Sequence, residues 1–440
     1  MESIKKIMGN IIAIVGRPNV GKSTLYNRLI GGRNAIIDDT SGVTRDRKYG
    51  LSDWNGKNFT VIDTGGFVQG SDDVFEAAIR SQVKIAIEEA TALVFMVDVA
   101  TGITDLDEEV ANLLRRTKKP VFLVVNKVDN QGRLLEANEF WSLGFENTYF
   151  LSSLSGSGTG ELLDAIAEQL DDGEPVPSEY PKFAIIGQPN VGKSSFVNAL
   201  LGKDRNIVTD IAGTTRDSIH SMYNKFGKEF LLIDTAGIRR KTKVHENLEF
   251  YSVMRALRAM EEADVTMLLI DAQTGMEAQD MAIFTLAMKR NKGIVVLVNK
   301  WDLMDKETNT ARDLELELKK KMAPFNDVPV VFISVLEKQR ISQALDAALQ
   351  VYENRNRRIT TSKLNDIMQD AISRNPPPSH RGAFIKIKYI TQLPTYYPAF
   401  AFFCNNPKYI KPSYKNFLEN QLRKNFDFTG VPISVFFREK

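Results

Sequence analysis

Short runs of apolar, mostly β-branched residues recur along the chain and alternate with longer amphipathic segments. In the N-terminal third these runs cover residues 11–15, 59–63, 92–98 and 121–126. Runs that are apolar at almost every position suit strands buried on both faces of a parallel sheet. A segment of helical length lies between two of them at residues 74–90. The alternation predicts a three-layer α/β fold with a mostly parallel sheet.

The second part of the chain repeats the first. Gly16 opens the segment GRPNVGKSTLYNRLIGG, and Gly187, 171 residues later, opens GQPNVGKSSFVNALLGK. Apolar runs follow each segment in the same order, and in the second copy they extend from residues 183–187 to 330–334. A period of this length indicates a duplicated domain rather than a solenoid repeat.

The last part of the chain has a different pattern. Residues 353–440 predict the order helix, strand, strand, helix, strand, which is typical of a small α/β domain. We therefore place the two copies at residues 10–172 and 181–352. The acidic, proline-bearing stretch between them, residues 173–180, predicts a linker.

Composition narrows the class of protein. Of 440 residues, 43% are hydrophobic and 25% are charged, which is ordinary for a soluble globular chain. The single cysteine, Cys404, excludes an internal disulfide framework and fits a reducing compartment, so we expect a cytoplasmic protein. The chain contains no stretch of about 18 apolar residues, so its sequence predicts no membrane span. The net charge of +2 divides into +10 over residues 355–440 and −8 over the remainder, so the basic charge is concentrated at the C-terminus.

Each copy carries a phosphate-loop motif, G-x-x-x-x-G-K-S, between a predicted strand and a predicted helix. The glycines let backbone N–H groups turn towards phosphate oxygens, and the following helix presents its positive end to the same anion. Lys22 and Lys193 should reach the β- and γ-phosphates. The hydroxyls of Ser23 and Ser194 should bind Mg²⁺.

A second motif, N-K-x-D, follows a later strand in each copy. The carboxylates of Asp129 and Asp302 have two acceptor oxygens and no donor, so they match guanine N1–H and N2–H₂ and oppose adenine. The motif therefore predicts GTP rather than ATP, with the asparagine amide available to the other purine edge and the lysine stem lying along the base. Ser152 and Ser334, at strand ends, are candidates for a loop at the guanine edge, or are ordinary turn residues.

Three further positions predict switch segments. Asp63 and Asp234 end a strand and should lie near Mg²⁺, while Gly66 and Gly237 end D-x-x-G and should offer a backbone N–H to the γ-phosphate. Threonines in the preceding loops, Thr44 and Thr215, could bring an oxygen to Mg²⁺, although Thr214 adjoins the second. The alternative for all of these is ordinary turn chemistry.

The residue after D-x-x-G is not glutamine, which in many GTPases orients the attacking water. Phe67 and Ile238 stand there, and neither side chain can hydrogen-bond to water. Either hydrolysis is slow, or another group supplies the missing contribution. Asn19 and Asn190 could help hold a monovalent cation beside the phosphates, or they could stabilise the loop turn.

The candidate residues follow these motifs in both copies. The nucleotide-binding candidates of the first copy are Gly16, Arg17, Pro18, Asn19, Val20, Gly21, Lys22, Ser23, Asp63, Thr64, Gly65, Gly66, Phe67, Asn126, Lys127, Val128, Asp129 and Ser152. Those of the second copy are Gly187, Gln188, Pro189, Asn190, Val191, Gly192, Lys193, Ser194, Asp234, Thr235, Ala236, Gly237, Ile238, Asn299, Lys300, Trp301, Asp302 and Ser334. The candidate catalytic residues are Lys22, Lys193, Thr44, Thr215, Gly66 and Gly237. The candidate Mg²⁺ ligands are Ser23, Thr44, Asp63, Ser194, Thr215 and Asp234, and Asn19 and Asn190 are the candidate ligands of a monovalent cation.

Together these motifs resemble the Der (EngA) tandem GTPases of bacteria. The resemblance rests on two GxPNxGKS segments, GVTRD and GTTRD, DTGG and DTAG, two NKxD motifs, and SYKNFLENQLRKNFDFTGVPISVFF near the C-terminus. It implies two P-loop GTPase domains with a C-terminal KH-like α/β domain, GTP hydrolysis stimulated by K⁺, and a role in assembly of the large ribosomal subunit. Ser153 and Val335 depart from the alanine that is usual after the guanine-loop serine, but they leave its backbone contacts possible.

Contact with ribosomal RNA would rest on basic side chains, because the C-terminal domain has no G-x-x-G clamp. The candidates are Lys386, Lys388, Lys408, Lys411, Lys415, Arg423 and Lys424. Some of these could instead form a solvated face or pair with the acidic domains. The basic run Arg239-Arg240-Lys241-Thr242-Lys243 follows the second D-x-x-G and is a candidate for RNA contact gated by nucleotide.

The resulting hypothesis is a monomeric GTPase switch whose two nucleotide states gate binding to the large ribosomal subunit or its precursor. One alternative is a membrane-associated regulatory GTPase, but Glu2 stands where myristoylation needs glycine and the C-terminus has no prenylation motif. Another is a GTP-dependent phosphotransferase, for which no motif supplies a second substrate pocket with a catalytic base.

Overall fold

The computed structural model describes most of the chain, and its described residues form two compact units. The described residues are 10–30, 49–67, 72–170, 180–201, 220–233, 248–305, 307, 309–379 and 384–439. The candidates Thr44, Thr215, Asp234, Thr235, Ala236, Gly237 and Ile238, the basic run 239–243 and residues 173–179 of the predicted linker lie outside the described residues.

The first unit is built on a sheet of six described strands in the order β2-β3-β1-β4-β5-β6. The strands are β1 (Ile11–Val15), β2 (Tyr49–Trp54), β3 (Lys57–Asp63), β4 (Ala92–Asp98), β5 (Val121–Asn126) and β6 (Thr148–Phe150). Every pairing is parallel except that of the edge strand β2 with β3. Every residue of β1 and β4 is buried, as expected for central parallel strands covered on both faces.

Helices cover this sheet. They are α1 (Lys22–Ile30), α2 (Asp72–Glu89), α3 (Asp105–Leu114), α4 (Gln131–Glu136) and α5 (Thr159–Gln169). The next helix along the chain, α6 (Lys193–Leu201), belongs to the second unit. The helix after it, α7 (Leu248–Glu262), belongs to the first unit. Helix α7 contacts α2, where the carboxylate of Glu89, only 5% exposed, accepts hydrogen bonds from Arg255 at 3.2 Å and Arg258 at 3.3 Å.

The second unit repeats the first architecture with the order β12-β11-β10-β7-β9-β8. Its strands are β7 (Lys182–Ile186), β8 (Ser221–Lys225), β9 (Lys228–Leu232), β10 (Val265–Asp271), β11 (Gly293–Asn299) and β12 (Val330–Phe332). The edge strand β8 is again the antiparallel one. Helices α6, α8 (Ala278–Lys289), α9 (Thr310–Lys321) and α10 (Ile341–Asn356) accompany this sheet.

The same unit contains a small sheet in the order β13-β14-β15. Its elements are α11 (Thr361–Arg374), β13 (Ile387–Gln392), β14 (Ala399–Cys404), α12 (Pro412–Asn425) and β15 (Ser434–Glu439). The predicted order α-β-β-α-β is therefore confirmed. Strand β14 pairs antiparallel with β13 and parallel with β15. Alternate residues of the three strands pack on α11 and α12 in one apolar core that includes Phe400, Phe402, Leu364 and Leu418.

A polar joint connects this small domain to the second large sheet. The Ile294 N–H donates to the Gly430 carbonyl at 2.8 Å, and the Gly430 N–H donates to the Asp327 carbonyl at 2.7 Å. Arg423 lies over the Phe325 ring, 4.8 Å from its centroid, and pairs with the Asp327 carboxylate at 3.3 Å. Arg423 is thus a structural anchor within the unit, which is the alternative that the sequence left open for some of the basic residues.

The predicted fold class is confirmed, but the hydrophobic pattern did not predict every strand. Strands β2 and β8 did not appear in the hydrophobic pattern, because YGLSDW and SMYNK are not apolar runs. Both are edge strands that pair on one side only, so they can carry polar residues. Helix α10 also continues through residue 352 to Asn356, and the division of the chain at that residue stays a prediction.

Candidate nucleotide sites

The two phosphate loops have nearly the same backbone conformation. Residues Asn19 and Asn190 adopt φ of 63° and 64°, and Gly21 and Gly192 both adopt φ of 103°. The left-handed region is one that asparagine enters more readily than most residues, and φ near 103° requires glycine. A Cβ at Gly21 would also collide with the side-chain amide of Asn126. The spacing of these residues therefore fixes the loop shape in both copies, as the motif predicted.

The lysine of each phosphate loop folds back and places its ammonium group inside that loop. Lys22 Nζ donates to the carbonyls of Gly16 at 2.9 Å and Arg17 at 2.7 Å. Lys193 makes the equivalent bonds to Gly187 and Gln188. Burial lowers the pKa of each lysine from 10.5 to about 8, against the opposing carboxylates of Asp63 and Asp280 respectively. The desolvation of each ammonium is thus only partly compensated by protein acceptors, and an anionic phosphate would be a stronger partner.

Next to Lys22 in the first copy lies a cluster of oxygen atoms. The Ser23 hydroxyl donates to Asp63 Oδ2 at 2.5 Å, while Asp63 Oδ1 accepts from the Gly65 N–H at 2.9 Å. The Thr64 hydroxyl donates to the Ile14 carbonyl at 2.8 Å and ties the end of β3 to β1. Two residues predicted to share a magnesium ion are therefore in direct contact. Ser194 belongs to the described residues, but its predicted partner Asp234 does not.

The motif asparagines join two loops rather than remaining free for a base. Asn126 Nδ2 donates to the Val20 carbonyl at 2.7 Å, and its Oδ1 accepts from the Ser153 N–H at 2.9 Å. In the second copy, Asn299 bonds to Val191 at 2.8 Å and Val335 at 3.1 Å in the same way. We expected the amide at a purine edge. It instead holds the phosphate loop against the loop that follows β6 or β12.

The motif lysines beside these asparagines contact a neighbouring strand end. Lys127 Nζ lies 2.5 Å from Asp98 Oδ2, and Lys300 Nζ lies 2.5 Å from Asp271 Oδ2. Asp129 is half exposed, and its carboxylate accepts from Arg133 at 3.2 Å. In the second copy the side chain of Trp301 packs on Phe332, with 4.5 Å between ring centroids. Both acidic motif residues remain at least partly open to solvent, as base recognition requires.

The predicted serines are buried and close their own loops. Ser152 Oγ accepts from the Ser155 N–H at 3.3 Å, and Ser334 Oγ accepts from the Glu337 N–H at 3.1 Å. These contacts are turn chemistry, which was one of the two interpretations. The loops themselves nevertheless lie at the predicted place, since the asparagine amides bind the next residue of each loop.

Comparison with known proteins agrees with this geometry. Residues 11–127 and 182–300 each match the family described as 50S ribosome-binding GTPase, and residues 358–438 match the KH-domain-like family of EngA bacterial GTPase enzymes. The GTPase Der of Christiangramia forsetii is 61% identical over 434 residues, which cover 98% of this chain and all of that protein. The GTPase Der of Flavobacterium psychrophilum is 58% identical over 437 residues, with the same coverage.

The chain belongs to the Der (EngA) family. It is therefore a GTPase that binds GTP and hydrolyses it to GDP and phosphate. Among solved structures, Era of Aquifex aeolicus matches 59% of this chain and 92% of its own at 23% identity and a TM-score of 0.31, a likeness on which we base no argument. Over the described residues, no helix is both long enough and apolar enough to cross a membrane.

The sequence missed the acidic residue that holds the second position of each phosphate loop in this Der-family chain. Arg17 Nε donates to Asp107 at 3.1 Å in the first copy. Gln188 Nε2 donates to Asp280 and to Glu277 in the second, both at 2.9 Å. Asp107 and Asp280 occupy the same place near the start of α3 and α8, so alignment of the two copies could have found them.

The two acids are equally hidden but differ in their electrostatic partners. Asp107 is 1% exposed and paired with a guanidinium, whereas Asp280 is 2% exposed and paired with a neutral amide. Burial raises the pKa of Asp280 from 3.8 to about 6, even though hydrogen bonds from Glu277 and Gln188 oppose that shift. The second copy therefore retains a buried carboxyl group that titrates close to neutrality.

Proposed function

We propose that each copy binds one guanine nucleotide and that the nucleotide states control binding to the large ribosomal subunit or its precursor. The observation that carries the two-site assignment is the repeated asparagine link. In both copies one amide joins the phosphate loop to the loop beside N-K-x-D. The amide fixes the two loops relative to each other, so a ligand that binds one loop also has a defined position relative to the other.

Guanine selectivity at each site depends on Asp129 and Asp302 in this proposal. Replacing either by asparagine exchanges one acceptor for a donor, which opposes guanine N1–H and N2–H₂. We expect Asp129→Asn and Asp302→Asn each to weaken the preference for GTP over ATP in its own site. Competition of GTP and ATP against a fluorescent guanine nucleotide measures that preference. Unchanged selectivity in both variants would refute the assignment.

Magnesium fits the oxygen cluster of the first copy. A hydroxyl and a carboxylate are donors that Mg²⁺ prefers, and Ser23 and Asp63 already place theirs 2.5 Å apart. We propose that these residues hold the ion with Thr44, and that Ser194, Asp234 and Thr215 do the same in the second copy. When bound, the ion neutralises phosphate charge. Lys22 and Lys193 add charge stabilisation from the loop side.

The hydrolytic water has no glutamine to orient it, so the proposed contributions come from elsewhere. Gly66 and Gly237 would present backbone N–H groups to the γ-phosphate, and a potassium ion held partly by Asn19 and Asn190 would add positive charge. The left-handed backbone of both asparagines supports their turn role equally well. Replacing KCl by NaCl at constant ionic strength should slow hydrolysis. Equal rates in the two salts would remove potassium from the proposal.

The small C-terminal domain is the proposed site of ribosomal RNA contact. Six of the seven basic candidates are exposed: Lys386, Lys388, Lys408, Lys411, Lys415 and Lys424. Their charge suits a phosphate backbone, and each neutralised phosphate releases counterion, so binding should fall steeply with salt. Arg423 is omitted from this surface because it is committed to Asp327 and Phe325.

The gating is tested by co-sedimentation with purified ribosomal subunits in a GTP analogue, in GDP and without nucleotide. The basic run 239–243 follows the second D-x-x-G, so its exposure is proposed to depend on the γ-phosphate. We expect binding to the large subunit to differ between the GTP analogue and GDP. The same binding in all three conditions would contradict the switch.

We further propose the domain limits 10–172, 181–352 and 353–440, a monomeric state and a cytoplasmic location.

A further inference from the structure

In the first copy, the loop that follows β6 and lies beside N-K-x-D is also held by an arginine that no sequence motif identifies. Arg28 lies in the last turn of α1, the helix that the phosphate loop opens. Its Nε donates to the Ser153 carbonyl at 2.6 Å, and its terminal nitrogen donates to the Leu154 carbonyl. A guanidinium that binds two consecutive carbonyls fixes both position and direction of the backbone.

Ser153 is consequently held from both sides. Its N–H donates to Asn126 at 2.9 Å, while its carbonyl accepts from Arg28. The peptide bond to Leu154 is trans, so its N–H points away from the carbonyl that Arg28 holds. Among the described residues the structure gives the Leu154 N–H no acceptor, although the other N–H groups of residues 152–157 each have one.

The loop is also shaped to admit this guanidinium. Gly156 adopts φ of 90°, and a Cβ at that position would collide with the Arg28 guanidinium. The contact is therefore built from two independent features, a bidentate arginine and a glycine that leaves space for it.

Among the described residues of the second copy, this arrangement is absent. The residue that corresponds to Arg28 is Ala199, which is exposed and too short to reach the loop. The Val335 carbonyl, which corresponds to that of Ser153, accepts from the Lys338 N–H at 3.4 Å within the loop itself. The two sites thus present the base to loops that are held in different ways.

We propose that Arg28 is a positioning residue for guanine recognition in the first site only. It orients the Ser153–Leu154 peptide so that the Leu154 N–H faces the O6 acceptor that distinguishes guanine from adenine. This inference rests on the proposed binding of guanine between N-K-x-D and the loop. Arg28 itself touches no part of the nucleotide in this assignment.

The test uses the full chain with one site disabled at a time. Lys193→Ala leaves the first site to be measured, and Lys22→Ala leaves the second. Arg28→Ala, Arg28→Lys and Gly156→Ala are each placed on both backgrounds. Arg116→Ala is the control, because Arg116 is an exposed arginine of the same unit whose side chain makes no hydrogen bond or ion pair with the described residues. Dissociation constants for GDP, 6-thio-GDP and ADP are measured by competition with a fluorescent GDP.

In the first site, Arg28→Ala should lower the preference for GDP over 6-thio-GDP by about three- to tenfold, the range of one hydrogen bond. Gly156→Ala should do the same, and Arg28→Lys should restore part of the preference. A merely structural role would weaken both nucleotides equally. That result, or an equal loss of preference in the second site, would overturn the inference.

The proposed function and this inference fail in different ways. If the unmodified first site does not prefer GDP over ADP, the guanine assignment itself is wrong. If it prefers GDP and Arg28→Ala leaves the 6-thio-GDP ratio unchanged, only the role of Arg28 is wrong. Thermal unfolding of each variant, compared with Arg116→Ala, separates loss of fold from loss of selectivity.

Discussion

The two phosphate loops share a backbone but are anchored by different chemistry. In the first, Arg17 forms an ion pair with the buried Asp107, and in the second, Gln188 forms a neutral hydrogen bond to the buried Asp280. The first loop therefore neutralises its buried acid, while the second leaves an acid whose pKa burial raises to about 6. Duplicated sites with the same motif can thus differ in charge state, and hence in their response to pH.

The largest expected effect tests what the two sites have in common. Lys22→Ala and Lys193→Ala each remove a cation that we propose faces the phosphates, and the loss of one or two charge-assisted hydrogen bonds should weaken nucleotide binding about 100-fold in that site. Titration with a fluorescent GTP analogue should then show one tight site in place of two. Two tight sites remaining in either variant would show that the loop lysine does not contribute to binding.

A smaller effect tests how the sites differ with pH. The folded pKa of Asp280 is about 6 against 3.8 for the ordinary side chain, so the native state binds more protons than the unfolded state between about pH 4 and pH 6. Stability contributed by this group is therefore lost as pH rises through that window, by about 3 kcal/mol.

Asp280→Asn should abolish that contribution. The difference in unfolding free energy between the variant and the unmodified chain should grow in favour of the variant from pH 4 to pH 6 and then level off. Urea unfolding followed by the fluorescence of Trp301, with Trp54 and Trp141 replaced by phenylalanine, reports on the second unit. Asp107→Asn serves as the comparison. A pH-independent difference for Asp280→Asn would contradict the raised pKa.

The smallest effect comes from exchanging the anchors. Gln188→Arg gives Asp280 and Glu277 a cation and should stabilise the second unit at pH 7 by about 1 kcal/mol, while Arg17→Gln should destabilise the first by a similar amount. Urea midpoints at pH 7 measure both changes. We also expect Gln188→Arg to reduce the pH dependence described above. If both substitutions shift stability in the same direction, the charge of the anchor is not what distinguishes the loops.

The hydrophobic pattern predicted the buried strands because a central parallel strand must be apolar along its whole length. It did not predict the edge strands β2 and β8, whose pairing depends on a neighbour and not on their own sequence. The motifs predicted the phosphate loops for a local reason. A glycine at φ of 103° and an asparagine at φ of 63° constrain the chain wherever they occur.

The sequence by itself thus determined the duplication, the α/β fold class and the candidate residues for a guanine-nucleotide site. Only the tertiary structure decided what those residues bind. Arg17 meets Asp107 across 90 residues, Asn126 meets Val20 across 106, and Arg28 meets Ser153 across 125. Such contacts follow from which strands are neighbours in the sheet. No local pattern encodes that order, so the partners of these residues became visible only when the chain was folded.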